Sequence, residues 1–335
     1  MIDLIEVSDD PIFVCGPHKS GSSLLRNIFD GHEELFVIPI EMHFLVHAGF
    51  HVKYPYQKSI YDPEKFRGFF SNVLEWVERS EKSKDRHADS ITRGKWDLGL
   101  LRTLLTNAPA VGDGTSLREM IDYAVKAIYL SLNPGAGKRR IRFVEKSVEN
   151  SELVPVYQRQ YKNASFVHLV RNPYSNLCSF RRYKTFKGRF PYIRSMVESL
   201  SIHFESINRN RNLLDRFICI RYEDLVREPR RAIAELVRQL DIPYSELLLT
   251  PTSLGTPWAG NSLTNKKAEG ISAAYLDKWK EQLTGLERHL VSKRFAQVLA
   301  DFDYEEYRGG GHWAKRSPGE SLKVYRDNRL FLMGS

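Results

Sequence analysis

Apolar residues in this chain come in two patterns, short unbroken runs and longer stretches at helical spacing. Ile12, Phe13 and Val14 form the first run, a buried strand, and Leu24, Leu25, Ile28 and Phe29 recur at helical spacing behind it. Gly16 to Ser23, between them, reads as a turn. From Glu64 to Arg79, the positions Phe66, Phe69, Phe70, Val73, Leu74 and Val77 predict one amphipathic helix. Ser80 to Lys95 is polar and charged and predicts a loop between helices. Ser116 and Glu119 have capping-box spacing and open a helix toward Leu132, which Asn133-Pro-Gly-Ala-Gly137 ends. Ile141 to Val144, Ser165 to Val170 and Phe217 to Ile220 predict three further strands, and Pro229 opens a helix through Leu240. Strands alternating with helices predict an α/β fold with a central parallel sheet flanked by helices, with helical insertions over about 48–132. Gly309-Gly-Gly311 divides a single domain, residues 1–308, from a tail, 309–335. Trp313, Tyr325, Phe331 and Leu332 predict that the tail docks, either on its own body or on the neighbouring subunit of a homodimer.

Composition narrows the class. A chain of 335 residues, 42% hydrophobic and 27% charged, can bury a substantial core. No stretch approaches about 18 uncharged apolar residues, so no transmembrane helix is expected. The first residues carry Asp3, Glu6, Asp9 and Asp10, without the basic start and apolar core of a secretory leader, and a cytoplasmic location is expected. Cys15, Cys178 and Cys219 lack CxxC spacing and read as free thiols, neither a disulfide framework nor a zinc site. The net charge of +9 raises nucleic acid as a partner. The basic residues cluster locally, however, at Lys138-Arg-Arg140 and over Arg181 to Arg189, with no nucleic-acid motif beside them. Each run is either a solvated face or, for the second, the rim of an anion-binding cleft.

Candidate chemistry begins at the first turn. Gly16 and Gly21 have the spacing of a phosphate-binding loop, G-x-x-x-x-G-K-[ST], and Ser23 holds the hydroxyl position. Ser22 stands where the lysine belongs, and the only lysine of the loop is Lys19, on its outer curve. A strand, a glycine-bounded loop and a helix N-terminus aim N–H groups and a helix dipole at one point, so the phosphate cradle is kept while the nucleoside-triphosphate clamp is lost. The apolar strand Ser165 to Val170 ends in Arg171-Asn172-Pro173, where a nucleoside triphosphatase needs an acid for Mg²⁺. Arg171, with Ser179 about two helical turns on, predicts a second anion site.

These segments resemble the sulfotransferases that use 3′-phosphoadenosine 5′-phosphosulfate (PAPS). Lys19-Ser-Gly-Ser-Ser-Leu24 is similar to their 5′-phosphosulfate loop, and Arg171-Asn172-Pro173 with Ser179 to their 3′-phosphate motif. Arg221-Tyr-Glu-Asp-Leu-Val-Arg-Glu-Pro229 follows, then Gly260-Asn-Ser262, Gly270-Ile and Lys278-Trp279-Lys-Glu-Gln-Leu283. The matches run in the family's order from about Pro11 to Tyr304; Ser22 replaces the usual threonine and Asn172 the usual aspartate.

The resemblance implies PAPS as donor, adenosine 3′,5′-bisphosphate as product and no required metal. It implies a donor site of Pro17, His18, Lys19, Ser20, Gly21, Ser22, Ser23 and Leu24 around the 5′-phosphosulfate. Arg171 and Ser179 then hold the 3′-phosphate, with Ser262, Lys266 and Lys267 closing over it. Tyr222 either reaches the nucleotide or is a core tyrosine. Lys19 contacts the bridging oxygen, Lys146 is a catalytic or acceptor-side lysine unless Glu145 merely pairs with it, and Glu41 is the base. His43 competes as base, two residues on and so on the same face of an extended chain. The acceptor is left open among sugar, lipid or natural-product alcohols, phenols and peptide tyrosine; Phe44, Phe50, Tyr54 and Tyr56 suit an apolar acceptor or the core. Two other readings stay open, a P-loop kinase and a non-catalytic relative that binds the bisphosphate.

Overall fold

Alternation along the central strands decides where the layers go. On strand β2 (Ile12–Cys15), Phe13 and Cys15 join one hydrophobic cluster while Ile12 and Val14 join another on the opposite face. The computed structural model describes residues 1–53, 58–82, 94–112, 114–258, 260, 270–274, 276–307 and 321–334. Its six-stranded sheet adds β1 (Ile5–Val7), β3 (Leu35–Val37), β6 (Arg139–Lys146), β7 (Ser165–Val170) and β8 (Phe217–Arg221). A separate hairpin supplies β4 (Phe50–Lys53) and β5 (Lys58–Tyr61). All pairings in the main sheet are parallel. β6 is bordered by β1 along Arg139–Ile141, by β3 along Arg142–Val144 and by β2 along Val144–Lys146. β7 lies between β2 and β8, so the ends of β2, β6 and β7 share one edge of the sheet. This is the P-loop-type α/β fold, a parallel sheet flanked by helices.

Helices cover both faces. They run α1 (Ser22–Phe29), α2 (Phe44–His47), α3 (Pro63–Arg67), α4 (Phe69–Lys82), α5 (Leu98–Thr106), α6 (Leu117–Leu132) and α7 (Asn150–Gln160). There follow α8 (Pro173–Phe186), α9 (Ile193–Leu213), α10 (Tyr222–Arg227), α11 (Pro229–Gln239), α12 (Gly285–Arg294), α13 (Ala296–Asp301) and α14 (Leu322–Met333). Phe13 stacks on Tyr157 of α7 with ring centroids 4.0 Å apart and on Phe166 of β7 at 5.5 Å. Each such fully buried side chain is worth about 1.5–3 kcal/mol.

The segment between β3 and β6 departs from the expected pattern. It holds the β4–β5 hairpin as well as helices. The hairpin fits because Gly49, at φ 87°, lies against Asp62, whose carbonyl oxygen would be 2.1 Å from any Cβ. The single helix expected over Glu64 to Arg79 is two, broken at Gly68. Asn72 takes up the ends there, its Nδ2 donating to Lys65 O and to His47 O, both at 3.1 Å. The first helix begins at Ser22, two residues earlier than the apolar spacing suggests. Strand β1 escapes the apolar pattern because three residues are too few to show an alternation. Residues 83–93, Tyr54, Tyr56, the glycine run and Trp313 lie outside the described residues. α14 rests on the body, where Asn328 accepts from Ile193 N at 2.8 Å and donates to Pro191 O at 3.1 Å. Among the described residues no helix is long and apolar enough to cross a membrane.

Candidate active site

Three side chains clamp the Gly16–Ser23 loop from outside. Gly16 N donates to Ser151 Oγ of α7 at 3.1 Å, and Asn176 Nδ2 of α8 donates to His18 O at 2.7 Å. Arg171 Nη1, at the tip of β7, donates to Lys19 O at 2.9 Å. Lys19 and Gly21 both take positive φ, 65° and 104°, and Gly21 is the N-cap of α1 without a side-chain cap. A Cβ at Gly21 would meet the Tyr222 ring at 2.5 and 2.7 Å, so that position admits only glycine. Ser22 and Ser23 are the first two residues of α1, where a helix has no acceptor of its own for the N–H groups. Ser20 Oγ is buried without a hydrogen-bond partner. An uncapped helix N-terminus and an unpartnered buried hydroxyl fit a phosphate or sulfate group. Leu24 turns away from this cradle: its side chain packs with Ile12 and Val14, and its N–H bonds to Gly21 O.

Around the loop, burial weakens the charged forms. Lys19 is drawn down to about 8, first by burial and then by Arg171 and Lys146. Burial also holds His18 down to about 4, so its ring, 5.2 Å from that of Phe180, is neutral. Arg171 Nε reaches Ser175 Oγ at 3.1 Å, and its guanidinium lies 4.6 Å over the Tyr222 ring. The serine that Arg171 holds is therefore Ser175; Ser179 sits one turn further along α8, partly exposed. Asn172 serves as the cap of α8, accepting from Tyr174 N at 3.0 Å, which the usual aspartate would do equally well. Ser262, Lys266 and Lys267 lie outside the described residues. Of the basic run after Arg171, Arg181 is drawn inward, to Glu287 at 2.6 Å and Gln282 O at 2.7 Å.

Glu41 lies in the loop between β3 and α2, and long-range partners hold it there. Lys146, at the end of β6, makes a close ion pair with Glu41 Oε1. Glu145 is not the partner of Lys146: it accepts from Ser147 Oγ, from Asn150 Nδ2 at 2.7 Å and from Met42 N at 3.3 Å. Trp76 Nε1 of α4 donates to Glu41 O at 2.7 Å. His43 has left-handed backbone, φ 52°, so the chain is not extended from Glu41 to His43. The turn still brings His43 Nε2 to 3.7 Å from Glu41 Oε2, while His43 Nδ1 donates to Glu149 Oε1 at 2.8 Å.

Charge sorts these groups into roles. Burial works to raise the Glu41 pKa, but Lys146 and His43 outweigh it and hold the carboxylate down to about 2. Burial works to lower that of His43, and the Glu149 hydrogen bond and charge, with Glu41 and Glu145, raise it to about 9. At neutral pH His43 is already protonated and Glu41 is ionised, so Glu41 is the group of the two that can take a proton. Its side chain keeps 32% of its exposure against 4% for Lys146, enough for a second molecule to reach it. Phe44 is fully buried in the core, and Phe50 packs on Tyr61 at 4.9 Å.

Sequence reasoning missed Ser151, Asn176, Ser175, Glu149 and Trp76. Two signals were present: the polar residues Ser147, Glu149 and Asn150 directly after β6, and Asn176 among apolar positions of α8. Among the described residues no group of His, Cys, Asp and Glu is arranged to hold a metal ion.

The chain is similar in structure to the sulfotransferase domain from the curacin biosynthetic pathway, with 20% identity over 89% of this chain and 99% of that one and a TM-score of 0.59. It is similar also to the sulfotransferase domain of the Synechococcus PCC 7002 olefin synthase, with 20% identity over 90% of this chain and 96% of that one and a TM-score of 0.57. No curated protein matches in sequence. The model of the sulfotransferase family matches residues 11–246, and the chain belongs to that family.

Proposed function

We propose that this sulfotransferase draws its sulfuryl group from PAPS and delivers it to an acceptor hydroxyl whose proton passes to Glu41. Bound at the loop, the donor would supply an activated sulfuryl group. The chain's part is to bind, orient and neutralise. Ser20, Ser22, Ser23 and the N–H groups at the start of α1 suit the 5′ side, and Lys19 suits the leaving oxygen on which charge builds. Arg171, with Ser179 further along α8, suits the 3′-phosphate, and Tyr222 offers its ring to the nucleotide. Lys146 neutralises charge on the acceptor side and keeps Glu41 ionised.

The observation that carries this reading is the Glu41–Lys146 ion pair beside the loop, close enough for both charges to act on Lys19. One carboxylate and two cations lie within electrostatic reach of one another, an arrangement that suits in-line transfer to a hydroxyl. A P-loop kinase is disfavoured because Ser22 and Arg171 stand where a lysine and an acid are needed. Sugar and lipid alcohols, phenols and tyrosine peptides are the acceptor classes to test. Incubation with ³⁵S-labelled PAPS and representatives of each should label at least one class in the native protein, and label it roughly 10²–10⁴-fold more slowly in Glu41→Gln. Binding of adenosine 3′,5′-bisphosphate without labelling of any acceptor would replace this reading with that of a binding-only relative.

A further inference from the structure

Glu149 is the N-cap residue of α7, yet its carboxylate does not cap that helix. Side chains that cap from this position are short, Ser, Thr, Asp or Asn, and the longer glutamate leaves its carboxylate free for a more distant partner. Here the carboxylate turns outward to His43 Nδ1, at 2.8 Å. His43 is fixed from two further directions. Its backbone N–H donates to Ser147 Oγ at 3.0 Å, and its φ of 52° is a conformation that costs a non-glycine residue free energy. Such a conformation persists only where the surroundings over-determine it, and it marks a position whose geometry matters. The product of all this fixing is that His43 Nε2 lies 3.7 Å from Glu41 Oε2, while Lys146 grips Glu41 Oε1.

We propose that Glu149 is a positioning residue for sulfuryl transfer: it anchors a charged His43 against Glu41, so that the Glu41 carboxylate is held between two cations, one on each oxygen. The proposal rests on the reading of Glu41 as the base. Its chemical sense lies in redundancy. When Lys146 turns toward another anion, His43 still keeps Glu41 ionised and aimed. The groups facing His43 agree in sign. Glu149 approaches from α7, Glu41 from the preceding loop and Glu145 from β6, all anionic partners that favour the imidazolium. Lys146 stands on the far oxygen of Glu41, and His47 of α2 is itself held neutral by burial. Trp76 of α4 meets the His43 ring edge-on, 5.0 Å away.

The test uses Glu149→Gln, which keeps size and hydrogen-bond acceptance and removes only the charge, in the full chain with ¹⁵N-labelled histidine. The His43 signal is assigned by its loss in His43→Gln. In the native protein His43 should stay protonated until about pH 9. In Glu149→Gln its titration should fall toward the ordinary imidazole value of about 6.5. Turnover is read as sulfate released from PAPS to water, and kcat should drop by roughly 10- to 100-fold, the scale of a misaimed reacting group. Affinity for adenosine 3′,5′-bisphosphate by calorimetry should not move. A native His43 that titrates in the ordinary range, or a Glu149→Gln protein with unchanged kcat, overturns the proposal. A native protein that fails to bind the bisphosphate overturns the donor reading instead, and the histidine titration still decides the role of Glu149.

Discussion

The Gly16–Ser23 loop and the Glu41–His43 turn lie side by side and are built in opposite ways. The loop presents backbone: two glycines and a left-handed Lys19 shape it, a helix N-terminus sits behind it, and its side-chain clamps hold its own carbonyl and N–H groups. The turn presents side chains, and each is set by a residue far along the chain. Lys146, Glu149 and Trp76 reach it across sequence separations of 105, 106 and 35 residues. Anion binding can be done by peptide N–H groups that any sequence with the right glycines supplies. Tuning a base needs partner charges at fixed places in a poorly solvated pocket, which only tertiary structure delivers.

If loop and turn work separately, a change in the turn should leave donor binding by the loop untouched. Glu41→Gln keeps shape and removes basicity, so turnover should fall by roughly 10²–10⁴ while calorimetric affinity for adenosine 3′,5′-bisphosphate stays put. A parallel loss of affinity would mean that loop and turn are one unit. The converse experiment strikes the loop. Arg171→Ala removes a charge-assisted donor and the clamp on Lys19 O, and should weaken bisphosphate binding by about 1.5–3 kcal/mol. The preference over adenosine 5′-phosphate should vanish with it. Equal affinity of the native protein for the two nucleotides would sink the assignment of Arg171 to the 3′-phosphate.

How much could be read beforehand follows the same division. The strands at Ile12 and Ser165, the cradle between Gly16 and Gly21 and the arginine at a strand tip are local patterns, and the structure has each of them. Glu41 and Lys146 were legible only through resemblance, because nothing local says that residues 105 apart will pair. Glu149 and Asn176 showed only as polar residues beside a strand and on a mostly apolar helix, and nothing marked Ser151 or said what any of the three would hold. Their polar side chains act on backbone or on one another across the sheet edge, and one sequence carries no record of that contact. The break at Gly68 was hidden because apolar spacing continues through it while Asn72 ends one helix and ties the next to α2.

A pH titration sharpens the loop side. Lys19 is the one loop residue whose charge varies near neutrality, because burial and its cationic neighbours bring it down to about 8. The ammonium is the form that attracts the donor's anionic groups. Between about pH 7, above the second phosphate pKa of about 6, and pH 8 it is present and bisphosphate affinity should be flat; above pH 8 the free protein must regain a proton to bind, and affinity should fall by at most about tenfold per pH unit. Lys19→Met should bind more weakly and lose that slope. A slope that persists in Lys19→Met would assign it to His43, near 9, and so tie donor binding to the turn.

The smallest effect tests whether the inserted segment matters to the turn. Trp76, on α4, donates to the carbonyl of Glu41 at 2.7 Å and packs edge-on against His43, so it touches both residues without touching Lys146. Trp76→Phe keeps an aromatic body and deletes the N–H. One neutral hydrogen bond is worth about 0.5–1.5 kcal/mol net, so kcat should fall by roughly two- to tenfold with bisphosphate affinity unchanged. The variant should melt as a folded protein, since the lost bond is partly exposed and the ring packing is retained. No change in kcat would mean that Lys146 and Glu149 suffice to hold Glu41, and that α4 serves only to cover it. A fall beyond about 100-fold would mean that one backbone contact sets the aim of the carboxylate, and the insertion would then belong to the catalytic apparatus as much as the sheet edge does.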